Sequence, residues 1–427
     1  MRRVLGNFSL LVRGRGIAAV MLLAATALMA RALGPAEFGM VVVMQTYVLL
    51  IRGLLNVKQF QAIIRYGVPA HDAADTRTLR RLIDICRRVD RRTSITATVL
   101  AVGLAPLIGP YLGLDNNQVL LLTAYSLVLL TSGNITSVGI LRLFDQFDTL
   151  GRKETIAPTV RFFGVLMAWW LDWPFAAYIE ILAVAYVAEN FFLSWCGRRE
   201  YRRHIGPTPE GENNRNATMA EFSGLRHFLW ITYWQSNIDL IPKHVSVLIA
   251  GYLLGSADAG LLRLARQFST LLAKPAVLIR QVVFLDLTRS WNQGSTDFKL
   301  VAYRTAAIGG AIGLLFVLAG YFFGESLLGA LIGEDFVAAA PVLTLLLLAA
   351  TFELTASSLR SASYAIGHAA KVLRLSVLSA IIYLALFVLL TLELGLIGAG
   401  LAACAAALLP PVAMAIMIRN SMRNKDS

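Results

Sequence analysis

Charged side chains are scarce in this chain. They make up 15% of its 427 residues, against about 25% in soluble domains. That shortage excludes a soluble fold with a wet surface all round. The 57% of hydrophobic residues call for lipid instead. The apolar runs are long and unbroken, which excludes a barrel of short alternating strands. Cysteine is nearly missing. Cys86, Cys196 and Cys404 are scattered, which leaves no disulfide framework and no thiolate metal site; each reads as a small hydrophobe. His71, His204, His227, His244 and His368 fall at no metal-binding spacing with acids or cysteines. There is no phosphate-binding glycine loop ("RGRG" at 13–16 is not one) and no nucleophile elbow. The chain therefore offers neither an ATPase nor a catalytic domain, and no cofactor or metal is expected.

What is present is a series of apolar runs near the length that crosses a bilayer, about twenty residues each. They predict twelve spans: 16–30, 38–64, 94–113, 118–141, 156–171 and 175–196, then 228–254, 259–286, 301–323, 338–366, 375–392 and 396–418. Arg13 and Arg15 before Ile17–Ala30 give the layout of a cleavable signal. That run has a partner in the second half, so it reads as a retained first span. Ahead of it, Val4, Leu5, Phe8, Leu11 and Val12 share one helical face, which predicts an interfacial amphipathic helix.

Net charge is +13. In a soluble chain this would suggest nucleic acid; here the charge sits in loops and is a topology signal. With both termini on one side, that side's loops and tails hold 28 of the 39 Lys and Arg, and the opposite loops hold Arg31 alone. Both termini are thus expected in the cytoplasm. Residues 197–224 are polar and rich in Gly, Pro and Asn, a linker composition. The expected division is a lobe over 1–196 (interfacial helix and six spans), a cytoplasmic linker over 197–224, and a second six-span lobe over 225–427.

The two halves repeat. At an offset of 221, Leu33, Gly34, Ala36 and Gly39 match Leu254, Gly255, Ala257 and Gly260; at 220, Gly113 and Asp115 match Gly333 and Asp335. An even number of spans per half makes this a parallel repeat about an axis along the membrane normal, an arrangement of alternating-access transporters. Gly34 is expected to end one helix with a positive φ, and Pro35 suits the start of the next.

Ionisable groups at bilayer depth cost at least about 2.5–3.5 kcal/mol, so they face protein or water. Seven of the ten cations inside the predicted spans fall in spans two, seven and eight: Arg52 and Lys58, Lys243, and Arg263, Arg266, Lys274 and Arg280. Arg52, Arg266 and Lys274 are the deepest and are expected to line a cavity. Lys58, Arg263 and Arg280 lie nearer the span ends, where snorkelling is the competing reading. Asp239 and Lys243 stand four apart on one helical face, which also suits a neutralised pair. Pro242 and Pro275 adjoin Lys243 and Lys274; with no counterpart in the first half, they predict more bending in the second.

Three stretches give a resemblance. "RALGPAEFGMVVV" after the first span, "GILRLFDQFDTLGRKE" at 139–154 and "LIGEDFVAAAPVLTLLLLAA" at 331–350 resemble segments of the Wzx-like polysaccharide-repeat flippases of the multidrug/oligosaccharidyl-lipid/polysaccharide exporter superfamily. The resemblance implies an all-α polytopic protein with a V-shaped pair of six-helix lobes around a cavity. It implies movement of an undecaprenyl-diphosphate-linked oligosaccharide from the cytoplasmic to the outer leaflet of a bacterial inner membrane, for O-antigen, capsule or exopolysaccharide synthesis. A cationic cavity suits that diphosphate, because Arg offers it a bidentate fork and Lys a point charge. The expected partners are the lipid-linked substrate, membrane lipid, and a polysaccharide polymerase with its chain-length regulator; nucleic acid is not expected, and a monomer is. The alternative within the superfamily is an ion-coupled multidrug exporter, which would want a buried acid in the first lobe; spans one to five offer none at mid-depth. A membrane polymerase or ligase would want a large outer loop, and every predicted outer loop is short.

Overall fold

Glycines and aspartates of positive φ punctuate an all-helical chain. The computed structural model describes residues 2–206, 218–270 and 297–426, and no strand occurs among them. The helices are α1 (Arg2–Leu54), α2 (Gln59–Asp72), α3 (Thr76–Ile108), α4 (Asn116–Ser126), α5 (Ile135–Leu143), α6 (Phe147–Trp170) and α7 (Phe175–His204). Then come α8 (Leu225–Leu253), a helix over 256–270 (α9), α10 (Asp297–Leu331), α11 (Ala340–Ala365) and α12 (Ala369–Asp426). Among the described residues six stretches are long and apolar enough to cross a membrane; 16–72 and 370–421 each hold two of the expected spans. The segment expected at the interface is helical from Arg2 and continuous with the first expected span.

Local chemistry sets the helix ends. Gly34 breaks α1 at φ 69° and ψ 174°, with Pro35 opening the next segment. The Asp75 side chain accepts the Thr78 N–H at 2.9 Å and starts α3. Asp115 and Gln118 form a reciprocal capping box at the start of α4, at 2.8 and 3.1 Å.

The repeat extends further than the matched letters. Positive φ recurs in four pairs: Gly34 and Gly255, Gly113 and Gly333, Asp145 and Gly367, Asp172 and Gly395. The offsets run from 220 to 223 residues, so each pair marks the same turn in the span order. In two pairs an Asp of the first half stands for a Gly of the second. Asp tolerates the left-handed region because its short side chain bonds locally.

Two expected spans are not continuous. Span two stops at Leu54 and restarts at Gln59. Span four passes from α4 through a tight 3₁₀ turn over Leu127–Ser132, loses helix at Gly133 and Asn134, and resumes as α5. Neither break contains a proline, whereas α8 runs through Pro242 as one helix. At Pro242 the greater bending expected in the second half is not seen, and Pro275 lies outside the described residues. A proline removes one donor, but polar side chains and glycine interrupt a helix as well.

Packing divides the chain into two units, Met1–Leu33 with Met44–Ile241, and Gly34–Val43 with Pro242–Ser427. In the first, α2, α3, α5 and α7 enclose a core of Ile63, Leu79, Leu82, Ile83, Ile140 and Tyr201. The segment after the linker joins it. Leu225 is fully buried there, and Glu221 pairs with Arg81 at 2.7 Å. Hydrogen bonds from Thr218 and Arg81 hold the Glu221 carboxyl below its usual range. The expected 197–224 linker thus begins inside α7, which continues to His204, and ends docked on the first unit.

In the second unit the residues just after Gly34 are tightly held. Phe38 and Phe336, both buried, meet edge to face at 5.9 Å. A Cβ on Gly39 would overlap the Ser256 carbonyl, and one on Gly260 would meet the Gly39 Cα at 3.0 Å. Glycine is needed at both because two backbones pass side by side. Elsewhere α10, α11 and α12 pack through Phe298, Ala302, Leu359, Ala362 and Met414. Large apolar side chains remain exposed, among them Trp169 and Trp170 near the end of α6 and Tyr321, Phe322 and Phe323 in α10. Aromatic residues at span ends suit the membrane interface.

Candidate functional site

The break in span two carries two of the expected cations. Arg52 lies in the last turn of the helix that ends at Leu54, and Lys58 caps α2 across the gap. Between them the backbone bonds are irregular: Leu55 to Ile51, Asn56 to Gly53, Gln59 to Val57. Part of the lost helix bonding is made up from elsewhere, since the Tyr233 hydroxyl donates to the Leu54 carbonyl at 2.6 Å. At Gly53 a Cβ would meet Leu240 Cδ1 at 2.5 Å, so α8 lies directly on the break. Both cations are half-buried. The Arg52 guanidinium sits 5.0 Å from the centre of the Tyr186 ring, a cation–π contact to α7.

Arg52 faces a small pocket with Asn56, Gln59, Asp90, Ser94 and Ser132. It measures about 20 Å³, room for about one water and far too little for a diphosphate. Its wall has unmet hydrogen bonding. Gln59 is completely buried, yet neither its Oε1 nor its Nε2 has a partner, and Asn56 Oδ1 also lacks one. Unpaired buried amides each cost about 1–3 kcal/mol. Discontinuous helices with irregular backbone form the ion and substrate sites of many transporters.

Asp90 is a site residue that the sequence reading missed. Its neighbours, Arg87, Arg88, Arg91 and Arg92, read as a solvated basic loop. In the structure Asp90 is 2% exposed, and its Oδ2 accepts the Thr136 N–H at 2.7 Å. It caps α5 from another helix, replacing the bond that the break in span four removes. Burial pushes its carboxyl up to about 6, against the opposing pull of the Thr136 hydrogen bonds. Beside it Asn134 donates to Asn190 Oδ1 at 2.6 Å, and Asn190 donates to Thr131 Oγ1 at 3.4 Å. A polar layer thus crosses the first unit at the break, and it includes a buried acid four residues ahead of the expected start of span three.

The second unit places Arg266 in a network. Its guanidinium donates to the Lys243 carbonyl at 2.8 Å, to Ser246 Oγ at 2.9 Å and to the Tyr383 hydroxyl at 2.7 Å. One side chain of α9 is thereby tied to α8 and α12. The Lys243 side chain is exposed, and Arg263 is half-buried. Asp239 lies on the same helix as Lys243, on the first-unit side of the boundary at Pro242. Lys274 and Arg280 lie outside the described residues. Two further charges find uses the sequence did not indicate. Lys153 pairs with Glu189 at 2.6 Å between α6 and α7, and Arg161 is half-buried where it feels the negative charge of Glu189.

An all-helical polytopic membrane protein, with broken spans that carry polar groups and with an internal repeat, has the build of a multi-pass transporter. A family model described as "Polysaccharide biosynthesis protein" matches residues 28–341, and the chain belongs to that family. Among curated relatives it is 25% identical over 345 residues to the inner membrane protein YghQ of Escherichia coli (strain K12), covering 79% of this chain and 95% of that protein. Among solved structures it resembles the lipid II flippase MurJ in an inward closed conformation, with a TM-score of 0.76 and 13% identity, covering 96% of this chain and 87% of that one. It also resembles an inward-facing multidrug resistance MATE family transporter of the MOP superfamily, with a TM-score of 0.70 and 15% identity, covering 95% and 96%. The fold is therefore that of the MOP-superfamily transporters.

Proposed function

We propose that this protein is a flippase of the bacterial inner membrane that carries a lipid-linked oligosaccharide from the cytoplasmic to the outer leaflet for polysaccharide synthesis. Its cargo is a diphosphate-linked polyprenyl oligosaccharide, and both termini are cytoplasmic. Membership of the polysaccharide biosynthesis family and a fold shared with a lipid II flippase support this reading. The observation that carries it is the break in span two. It sets Arg52 and Lys58 on irregular backbone beside buried amides with no partner. Arg52 is half-buried; the exposed part of its side chain, outside the one-water pocket, offers an anionic group a fork that suits phosphate oxygens. Arg266 and Lys274 are the corresponding phosphate contacts of the second half; Lys243, Arg263 and Arg280 add positive potential.

Glycan export in a complemented deletion strain tests the reading. Arg52→Ala should lose most export at normal protein level, Arg52→Lys should keep part of it, and undecaprenyl-linked intermediate should accumulate. Loss of a desolvated charged contact costs about 2–5 kcal/mol in comparable interfaces, enough to stop flux. Full export by an Arg52→Ala, Arg266→Ala, Lys274→Ala variant would reject the assignment.

A second reading, an ion-coupled exporter of small molecules, gains from Asp90, a buried acid in the first half. It predicts that Asp90→Asn abolishes efflux of cationic dyes while glycan export stays unchanged.

A further inference from the structure

The first unit holds a second, larger cavity of about 1440 Å³, which shares Asp90 and Ser94 with the small pocket beside Arg52 and extends well beyond it. We propose that it binds the phosphate of an anionic glycerophospholipid from the cytoplasmic leaflet, whatever cargo the protein moves. Two helix stripes define it. On α3, Arg87, Arg88 and Arg91 recur at helical spacing above Ser94. On α7 the stripe is Val187, Phe191 and Trp195, followed by Arg198 and Arg202. One face of α7 therefore changes from apolar to cationic within a single turn.

Each end of the cavity matches one end of a lipid. Phe191 and Trp195 are 71% and 52% exposed, and Leu130 on the broken span four adds 54%. Bare aromatic and aliphatic surface of this kind belongs against acyl chains, with the Trp at the interface. The five arginines face two acids, Asp84 and Asp90. The Asp90 carboxylate is engaged by the Thr136 N–H, and Asp84 lies 3.8 Å from Arg87. The excess of positive charge suits a phosphate, and guanidinium forks bind phosphate oxygens in pairs. Basic pockets between spans at the cytoplasmic side are where anionic headgroups lodge. Thr136 also lines this space, is 2% exposed, and its Oγ1 has no partner, so a polar acceptor is missing there.

The break in span four makes the room. Gly133 lies at that break and lines the cavity, and a Cβ there would already meet the Asp90 carbonyl at 3.1 Å. A soluble phosphate would have no use for the apolar stripe. A zwitterionic lipid would leave the cationic excess unmatched.

Native mass spectrometry of the full chain in detergent, with dioleoyl phosphatidylglycerol or dioleoyl phosphatidylcholine added, tests the assignment. The wild type should retain phosphatidylglycerol at least tenfold better, and millimolar inorganic phosphate should not displace it. An Arg91→Gln, Arg198→Gln, Arg202→Gln variant should lose that preference, while Arg226→Gln, Lys371→Gln, Arg419→Gln, an equal charge loss elsewhere, should keep it. If the first triple variant fails to fold, Arg198→Glu alone, at an exposed position, carries the test. Unchanged retention in the cavity variant, equal retention of the two lipids, or displacement by inorganic phosphate would each overturn the proposal; the last would assign a free-anion site instead.

Discussion

Gly16→Ala and Gly34→Ala make the same chemical change in one helix, and they are expected to act in opposite directions. At neither glycine would an added methyl group have any atom within 4 Å, so crowding plays no part. The difference lies in the backbone. Gly16 is helical and exposed; alanine there removes the conformational freedom of the unfolded chain and should stabilise by about 1 kcal/mol. Gly34 has φ 69° with ψ 174°, outside the small left-handed well that other residues tolerate. Forcing alanine into such a region costs about 1–3 kcal/mol. The two variants should therefore differ by about 2–4 kcal/mol. At about 2 °C per kcal/mol, the low end for larger domains, their melting points separate by at least about 4 °C. Fluorescence-detected thermal unfolding in detergent, with both variants purified in parallel, reads this directly. If Gly34→Ala melts at or above Gly16→Ala, the backbone account of the turn is refuted.

Asp90→Ala orphans the buried Thr136 N–H and should cost about 1–3 kcal/mol, whereas Asp90→Asn keeps an acceptor and should cost less; thermal unfolding at pH 7 separates them. Because the Asp90 carboxyl is raised to about 6, above its ordinary value near 3.9, folding favours its protonated form. Its contribution is fully present below about pH 4 and is lost as pH rises through about 6, so Asp90→Asn should flatten the stability profile over that interval; an unchanged slope would count against the assignment. Tyr383→Phe removes one acceptor of Arg266 and should lower the melting point modestly, and Arg266→Lys, which has no planar fork to span Lys243, Ser246 and Tyr383, should lower it more; the reverse order would show that the network is not what holds α9.

The helical class and the turns between spans could be read from the letters because both depend on local chemistry. Apolar run length specifies a span, and Gly34, Gly255, Gly113 and Gly333 stand where only a short list of residues fits the backbone. The pairing of Asp145 with Gly367 and of Asp172 with Gly395 was invisible, since an Asp permits positive φ without announcing it. The breaks in spans two and four were missed for a related reason. Proline marks a break in sequence, and these breaks hold none; polar partners brought from other helices meet them, Tyr233 at Leu54 and Asp90 at Thr136. Asp90 and Arg266 show the limit most plainly. Asp90 is defined by a donor 46 residues away and Arg266 by a hydroxyl 117 residues away, so neither role has a local pattern. Arg52 and Lys58 were legible as unusual because a cation in an apolar run is costly wherever its partners come from.

The ten residues from Gly34 to Val43 pack with the second half of the chain, although the chain on either side of them packs with the first. This sets an order on biosynthesis. Phe38 leaves the ribosome roughly three hundred residues before Phe336, its edge-to-face neighbour, which at about 5–20 residues per second is a wait of about 15–60 s. Gly39 waits for Ser256 and Gly260 in the same way. Through that interval the turn at Gly34 is unfinished, and Phe38, fully buried in the complete chain, can be sheltered only by lipid or by an insertion factor. A half-length product would therefore be a client for quality control rather than a smaller stable protein. Splitting the gene between the halves should give function only when both pieces are made together.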